Sequence, residues 1–439
     1  MILFKRRLQT NMGKKILIIF AVLVFASCVA FASTKEKGAA EKPEKITIVV
    51  YEPVEAKGMA EFGKIFKEKY DIEVEVFTVP WANLHEKIIA DLTAQTGTYD
   101  LIAIPGLWSL EFIYAGYIEP LDTYWENPDY PSFDIEDYPQ DIVNLVADED
   151  HVYWIPHHAT TQILFYRKDI FEKENLKPPQ TYDELFRIAE LLTNNPKYPE
   201  VYGFGTTAKQ GEWASSTWST WIWSWGGDYF DKKWHCIFNN AKGVASLEAY
   251  AEAVNRFAPS DCPNWGNEEG GAAMQQGRLA MLQMWPYLAT AMDDPSQSKV
   301  VGKVGYAPMP KKELRFPRLG SWGLTISKYS KNKEWAWRYM AEFNSKENVE
   351  TIHREAGMPI CRTSVASVIA KEDPLFKAVF ESFEHTKERP GIPEITQIID
   401  VWGLAVSRVV VGDADAQTAL DEAAEEIEVI LRDGGYIKD

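Results

Sequence analysis

The chain has 439 residues, 46% apolar and 25% charged, with aromatic side chains at 13%, so it can bury a large core and resembles neither a disordered nor a collagen-like composition. Its length argues for two domains or lobes. Acidic side chains number 64 against 46 basic ones, a field that repels nucleic acid and anionic membranes but tolerates neutral or cationic ligands.

The N-terminus reads as an export signal. Met12-Gly13-Lys14-Lys15 followed by the apolar run Ile16 to Ala26 supplies a charged n-region and an h-region, with either Met1 or Met12 as the start. Ala30-Phe31-Ala32 fits the A-x-A cleavage rule and is the favoured end. Phe25-Ala26-Ser27-Cys28 is a lipobox-like alternative, whose Phe is an inferior third residue, and it would anchor the protein through Cys28. Cleavage after residue 32 removes five basic and no acidic side chains, leaving 41 against 64, or −23. No later stretch reaches the roughly 18 uninterrupted apolar residues that a membrane span requires. Residues 33–45, small and charged, read as a flexible linker.

The fold begins at Ile46. Ile46 to Tyr51 is a buried-strand run, and a helix follows from about Gly58 to Tyr70 with Met59, Phe62, Ile65 and Phe66 at helical spacing. A strand at Ile72 to Val76, a helix at Leu84 to Ala94 and a strand at Tyr99 to Ile104 complete a β-α-β-α-β order, the grammar of a parallel sheet covered by helices. Further strands are predicted at Val152 to Ile155, Gln162 to Arg167 and Tyr202 to Thr206, with helices at Tyr182 to Leu192 and at about 243–257 and 270–278. Near residue 305 the continuity is ambiguous: Val304 to Pro308 is strand-like and leads to a Gly-rich loop. The remainder is mostly helical, and no 20- to 50-residue repeat is visible.

The main catalytic and phosphate-binding motifs are absent, and nothing implies a cofactor. His157 and His158 look like a metal pair, but strand neighbours face opposite ways, so one ion could hardly take both without a bulge, and no metal site is assigned. Carboxylate pairs such as Glu268-Glu269 read as solvated surface. Cys236, Cys262 and Cys361 are neither a disulfide framework nor a zinc signature; buried thiols are the default, with a Cys236–Cys262 bridge as the alternative.

The informative anomaly is sixteen tryptophans. An indole has a flat π-face and one N–H donor, which suits a pyranose ring with its apolar C–H face and its hydroxyl edge. Trp218, Trp221 and Trp225 form one helical stripe and read as core, and Trp335 and Trp337 as packing. Trp213 precedes the stripe beside Ser215, Ser216 and Thr217, where a cleft could use it. Trp81, Trp108, Trp285, Trp322 and Trp402 lie near loops or element ends, where binding residues concentrate.

Several runs together resemble the extracellular solute-binding proteins of ABC importers, in the group containing maltose-binding protein. They are Ile155-Pro156, then Gln162 to Phe171 with its Tyr166-Arg167-Lys168-Asp169, and Pro178-Pro179-Gln180-Thr181-Tyr182-Asp183-Glu184-Leu185. Tyr99 to Ile102, Gly116 to Asp122, Gly277 to Met281 and Gly320 to Ser327 agree in the same order, spanning about residues 46 to 430. Arg167 and Tyr182 are mild departures from the family's Asn and Trp.

The resemblance implies an α/β, two-lobed type II periplasmic-binding-protein fold with a ligand cleft between hinged lobes. Lobe 1 would hold 46–156 plus 305–345, and lobe 2 would hold 157–304 plus 346–439. It implies an exported, periplasmic or extracytoplasmic monomer that captures a carbohydrate and delivers it to an ABC permease, without bond chemistry. A polyol, glycerophosphodiester or amine ligand on the same scaffold, or a secreted carbohydrate-degrading enzyme, are the alternatives. By this resemblance Thr160 takes the place of a ligand-contacting carboxylate, with His158 on the same strand face. Tyr287 stands where a sugar-stacking aromatic does, with Trp285 two residues earlier, and Trp402 falls within one residue of another stacking position. Asn83 and His85 lie where polar contacts are supplied. Tyr51 and Glu52 end the first strand at the lip where ligands sit in open α/β sheets, and Trp108 follows the equivalent strand. With Trp213 and Trp322 these make up the expected site.

Overall fold

The computed structural model describes residues 41–439, apart from 52, 149–150 and 438–439. The expected signal segment, Cys28 and most of the expected linker lie outside the described residues. Among the described residues no helix is long and apolar enough to cross a membrane.

Strands β1 (Lys45–Val50), β2 (Glu73–Thr78) and β3 (Leu101–Pro105) run parallel in the order β2-β1-β3. The helices that connect them are Pro53–Tyr70 and Trp81–Ala94. The apolar run of β1 is buried from Ile46 onward, as expected for a strand whose sheet carries helices on both faces. Met59, Phe62 and Phe66 of the first helix are sealed, but Ile65, expected on the same stripe, is 41% exposed. The smaller strands β4 (Ala147–Asp148) and β5 (His151–Val152) form a two-stranded pair, and β6 (Ile155–Thr161) closes the edge of the five-stranded sheet.

From β6 the chain passes through the single residue Gln162 into β7 (Ile163–Arg167), which belongs to a second sheet of three strands. There β7 lies between β8 (Met281–Met284) and β9 (Val304–Pro308), antiparallel to both. The buried Gln162 side chain is fixed at this crossing: its Oε1 accepts from Thr220 Oγ1 (3.0 Å) and Gln283 Nε2 (2.7 Å). The chain returns with β10 (Leu319–Ile326), which inserts antiparallel between β3 and β6.

Sheet pairing bears on the expected division at two points. Because β9 bonds to β7, the chain rejoins the five-stranded side only at β10 rather than at 305. The helix Lys346–Ala356 packs on Pro53–Tyr70, and Ile352 and Ala356 share its core cluster, so that helix too belongs with the five-stranded sheet. The strand expected at Tyr202 to Thr206 is reduced to isolated bridges, Tyr202 to Leu279 and Gly205 to Leu282. Between them Gly203 packs against the Ala189 backbone, where a Cβ would sit 2.0 Å from that carbonyl oxygen.

Among the described residues the cysteines, Cys236, Cys262 and Cys361, are free thiols. Trp218 and Trp221 are sealed in the core, and Trp225, half-buried, stacks on Trp221 at 5.4 Å.

Candidate functional site

The carboxyl ends of β1, β2 and β3 open on one side of the sheet, and each is followed by an aromatic residue: Tyr51, Trp81 and Trp108. The Tyr51 ring stacks on Trp322 of β10 (5.7 Å, 18°) and meets the edge of Trp81 (5.5 Å). Trp81 stacks on Trp108 (4.9 Å, 20°), so Trp108, only 4% exposed, backs the wall while Trp81 faces the cleft. His85 stands behind Trp108, edge-on at 4.8 Å, with Nε2 2.8 Å from Glu111 Oε2.

The opposite wall comes from the other sheet and its helices: Thr207, then Glu212, Trp213 and Ser216 in the helix Glu212–Ser224, and Asn267, which opens the helix Asn267–Gln275. Trp285 and Tyr287 follow the end of β8. Trp285 can approach because β10 carries Gly320: a Cβ there would lie 2.9 Å from the indole ring. Its register partner across the strands is Thr160, which also lines the cleft. Together these residues enclose about 630 Å³, a space that includes the open mouth.

The floor is ionic. Arg318, just before β10, donates from Nη1 to Ser216 Oγ (3.1 Å) and lies 3.4 Å from Glu388 Oε1 and 3.6 Å from Glu212 Oε1. Its guanidinium sits over the Trp285 ring at 5.3 Å. Arg389, fully buried behind it, binds Glu212 (2.8 Å) and Ser215 (3.2 Å). Burial lifts the Glu388 carboxyl above its ordinary value, with Arg318 and Arg389 opposing the rise, and burial next to Arg389 pushes Arg318 down. Two cations therefore face two carboxylates, which suits an uncharged guest. Several buried atoms at this surface have no protein hydrogen-bond partner among the described residues: Thr160 Oγ1, Glu212 Oε2, Arg318 Nε and Ser321 Oγ. Such groups call for a polar occupant, since leaving one unpaired costs roughly 1–3 kcal/mol.

Of the expected residues, the fold brings Tyr51, Thr160, Trp213, Trp285, Tyr287 and Trp322 together around this cleft. Glu52 lies outside the described residues. Asn83 is exposed on its helix and does not line the cleft, and His85 and Trp108 stand behind it. Trp402 is a correction: it is fully buried, face to face with Tyr229 at 3.9 Å. His158 is another. Between Trp322 and Gly323 the register slips by one residue, so β6 bulges at His157, and both imidazoles turn to one buried carboxylate. His157 Nε2 and His158 Nδ1 lie 2.9 and 3.0 Å from Glu55 Oε1. Burial alone would raise that carboxyl, yet the two histidine contacts overcome it and hold Glu55 at about 2. Among the described residues no group of three His, Cys, Asp or Glu is arranged to hold a metal ion.

Sequence reasoning singled out Trp81 as a tryptophan near an element end but left it out of the expected site, although it follows β2 much as Tyr51 follows β1. It also missed Glu212, Arg318 and Glu388, which are far apart in the chain and carried no local mark. Arg278 and Arg362 pair elsewhere, with Asp261 (3.2 Å) and with Asp137 (2.8 Å).

This chain belongs to the bacterial extracellular solute-binding protein family, which residues 48–350 match. It is similar to a mannitol-binding protein of Pseudomonas aeruginosa, 24% identical over 442 residues, covering 94% of this chain and 99% of that one. It is similar also to a galactooligosaccharide-binding protein of Bacillus subtilis, 23% identical, covering 94% and 97%. Among solved structures, a solute-binding protein of Thermotoga lettingae bound to α-D-tagatose superposes with a TM-score of 0.80 at 26% identity, covering 89% of this chain and 100% of the other. The fold is the two-lobed one of periplasmic binding proteins, and the family consists of binding proteins of ABC transporters rather than enzymes.

Proposed function

We propose that this protein is the solute-capturing component of an ABC importer and takes an uncharged carbohydrate or polyol into the cleft between its two sheets. The observation that carries this reading is the pairing of aromatic faces with a charge-balanced floor whose buried polar atoms lack protein partners. Rings cover the C–H faces of a polyhydroxylated guest, and Arg318, Glu212, Glu388 and Thr160 take its hydroxyls. The relatives that bind mannitol, galactooligosaccharide and tagatose support the same ligand class. A glycerophosphodiester would want a surplus of cations and an amine a surplus of carboxylates; the cleft floor has neither.

Closure about the crossings at Gln162 and between β9 and β10 would bring both walls onto the guest, so that ligand shifts the population toward the closed form. The lobes divide at those crossings, with Lys346–Ala356 in the first. The protein acts outside the cytoplasmic membrane as a monomer, cut after Ala32 or held through Cys28, and passes its cargo to a permease.

Thermal-shift screening followed by calorimetry tests this reading, because a ligand that binds only the native state raises apparent stability. Neutral polyols and sugars should raise the melting temperature, while glycerophosphocholine and choline should not. Stabilisation by the charged compounds alone would overturn the assignment.

A further inference from the structure

Glu388 lines a second cavity as well, of about 550 Å³ including its open mouth, whose other walls include Trp223, Asp228, Phe230, Trp234 and Lys387. Two features set it apart from a chance surface hollow.

The first is backbone strain. Trp234 sits at φ 67°, in the left-handed region that a bulky residue rarely adopts. Asp231 builds the turn that holds it there: its Oδ1 accepts from the backbone N–H groups of Lys233 (2.8 Å) and His235 (2.9 Å). Asparagine or glycine would make this turn without strain. What the indole adds is an apolar surface, half-buried between Phe230 (5.6 Å) and Tyr436 (5.0 Å), at the wall of the cavity. Strain kept at such a place points to use.

The second feature is repeated chemistry. Just as Arg318 covers Trp285 and pairs with Glu388, the Lys387 ammonium lies over the Trp223 ring at 5.6 Å and pairs with Asp228. Trp223 Nε1 in turn donates to Asp228 Oδ1 (3.3 Å). A ring covered by the cation of a compensated ion pair thus occurs twice, on either cavity that Glu388 lines; Trp223 itself is buried, so the half-buried Phe230 and Trp234 supply the aromatic faces of the second.

We infer that the second cavity is a further carbohydrate subsite, so that the guest is a linear oligosaccharide of two or more rings that runs past Glu388 rather than a lone polyol or monosaccharide. The inference rests on the reading of the main cleft as a carbohydrate site. Mannitol and one- to four-ring members of the malto-, cello- and galacto-series, titrated by calorimetry, test both. At least one series should bind about tenfold tighter, or more, once a second or third ring is added, a step of about 1.4 kcal/mol. Trp234→Gly, which suits the turn, should erase that gain while leaving one-ring or mannitol affinity within about twofold, and Lys387→Ala should do the same from a different element. Equal affinity for one ring and several, or equal weakening of both by Trp234→Gly and Lys387→Ala, would overturn the second subsite. Mannitol or a monosaccharide binding with no gain from length removes this subsite alone, whereas silence across all these compounds removes the carbohydrate reading with it.

Discussion

The two walls of the cleft are held together by different forces. On the five-stranded side Tyr51, Trp81 and Trp322 lean on one another at 5.5–5.9 Å, with Trp108 behind. Opposite them, Arg318, Glu212, Glu388 and Arg389 neutralise one another in a space nearly closed to water. A ring wall is held by many small, non-directional contacts and can lose a member and re-pack. An ionic floor cannot, because removing one partner strands a buried charge. Affinity for a carbon skeleton should therefore come from the first wall, and discrimination among hydroxyls from the second.

Arg318→Ala is the strongest test of that contrast. It should weaken sugar or polyol binding by about 100-fold or more, and cost roughly 3 kcal/mol of stability by leaving buried Glu388 with only Arg389, at 3.9 Å, to balance it. Calorimetry and denaturant melts read the two effects, and retention of affinity would show that the ionic floor does not select the ligand. Trp285→Ala comes next, at about ten- to thirtyfold, because the ring both covers the guest and carries the Arg318 guanidinium, a contact worth up to about 2 kcal/mol when desolvated.

Tyr51→Ala should cost less, about three- to tenfold in affinity, since Trp81 and Trp322 remain, and Tyr51→Phe should bind almost as the native protein does. A loss equal to that of Arg318→Ala would erase the distinction between the walls. Gly320→Ala sharpens it from the backbone: the new methyl would press on Trp285 at 2.9 Å and should cut affinity several-fold, with little change in melting temperature.

The smallest effect is on pH dependence. His158 is the register partner of Trp322, and with His157 it is tied to Glu55 beneath the ring wall. Burial lowers His157 below its ordinary value of 6.5, and the histidine contacts depress Glu55 to about 2 from 4.5. Both groups bind protons less readily folded than unfolded, so stability present at neutral pH is lost on acidification, first below about 6.5 and again below about 4.5. Melting temperatures should fall between pH 7.5 and 5.5, and His157→Asn should flatten that slope; a native slope of opposite sign would reject the assignment.

Much of the frame was legible because it is local. The alternation of buried strands and amphipathic helices from Ile46 to Ile104 gave the parallel sheet, and an aromatic at the end of β1 gave the lip of the cleft. Trp402 could have been excluded by the same logic: Ile395, Ile398, Ile399 and Trp402 fall at i, i+3, i+4 and i+7, a core stripe, and all are buried. His158 could not, because the bulge that turns it and His157 onto one carboxylate arises from a register slip against β10, more than 160 residues away in the chain.

Hydrophobic period, turn residues and motif order, all written within short windows, determined the class of fold and the presence of exposed aromatic candidates. Which rings face the cleft, and that Arg318, Glu212 and Glu388 meet at its floor, was decided only by the tertiary structure. Those three residues are 70 or more positions apart, and only the crossings between the two sheets bring their charges within 4 Å, where burial makes each depend on the others.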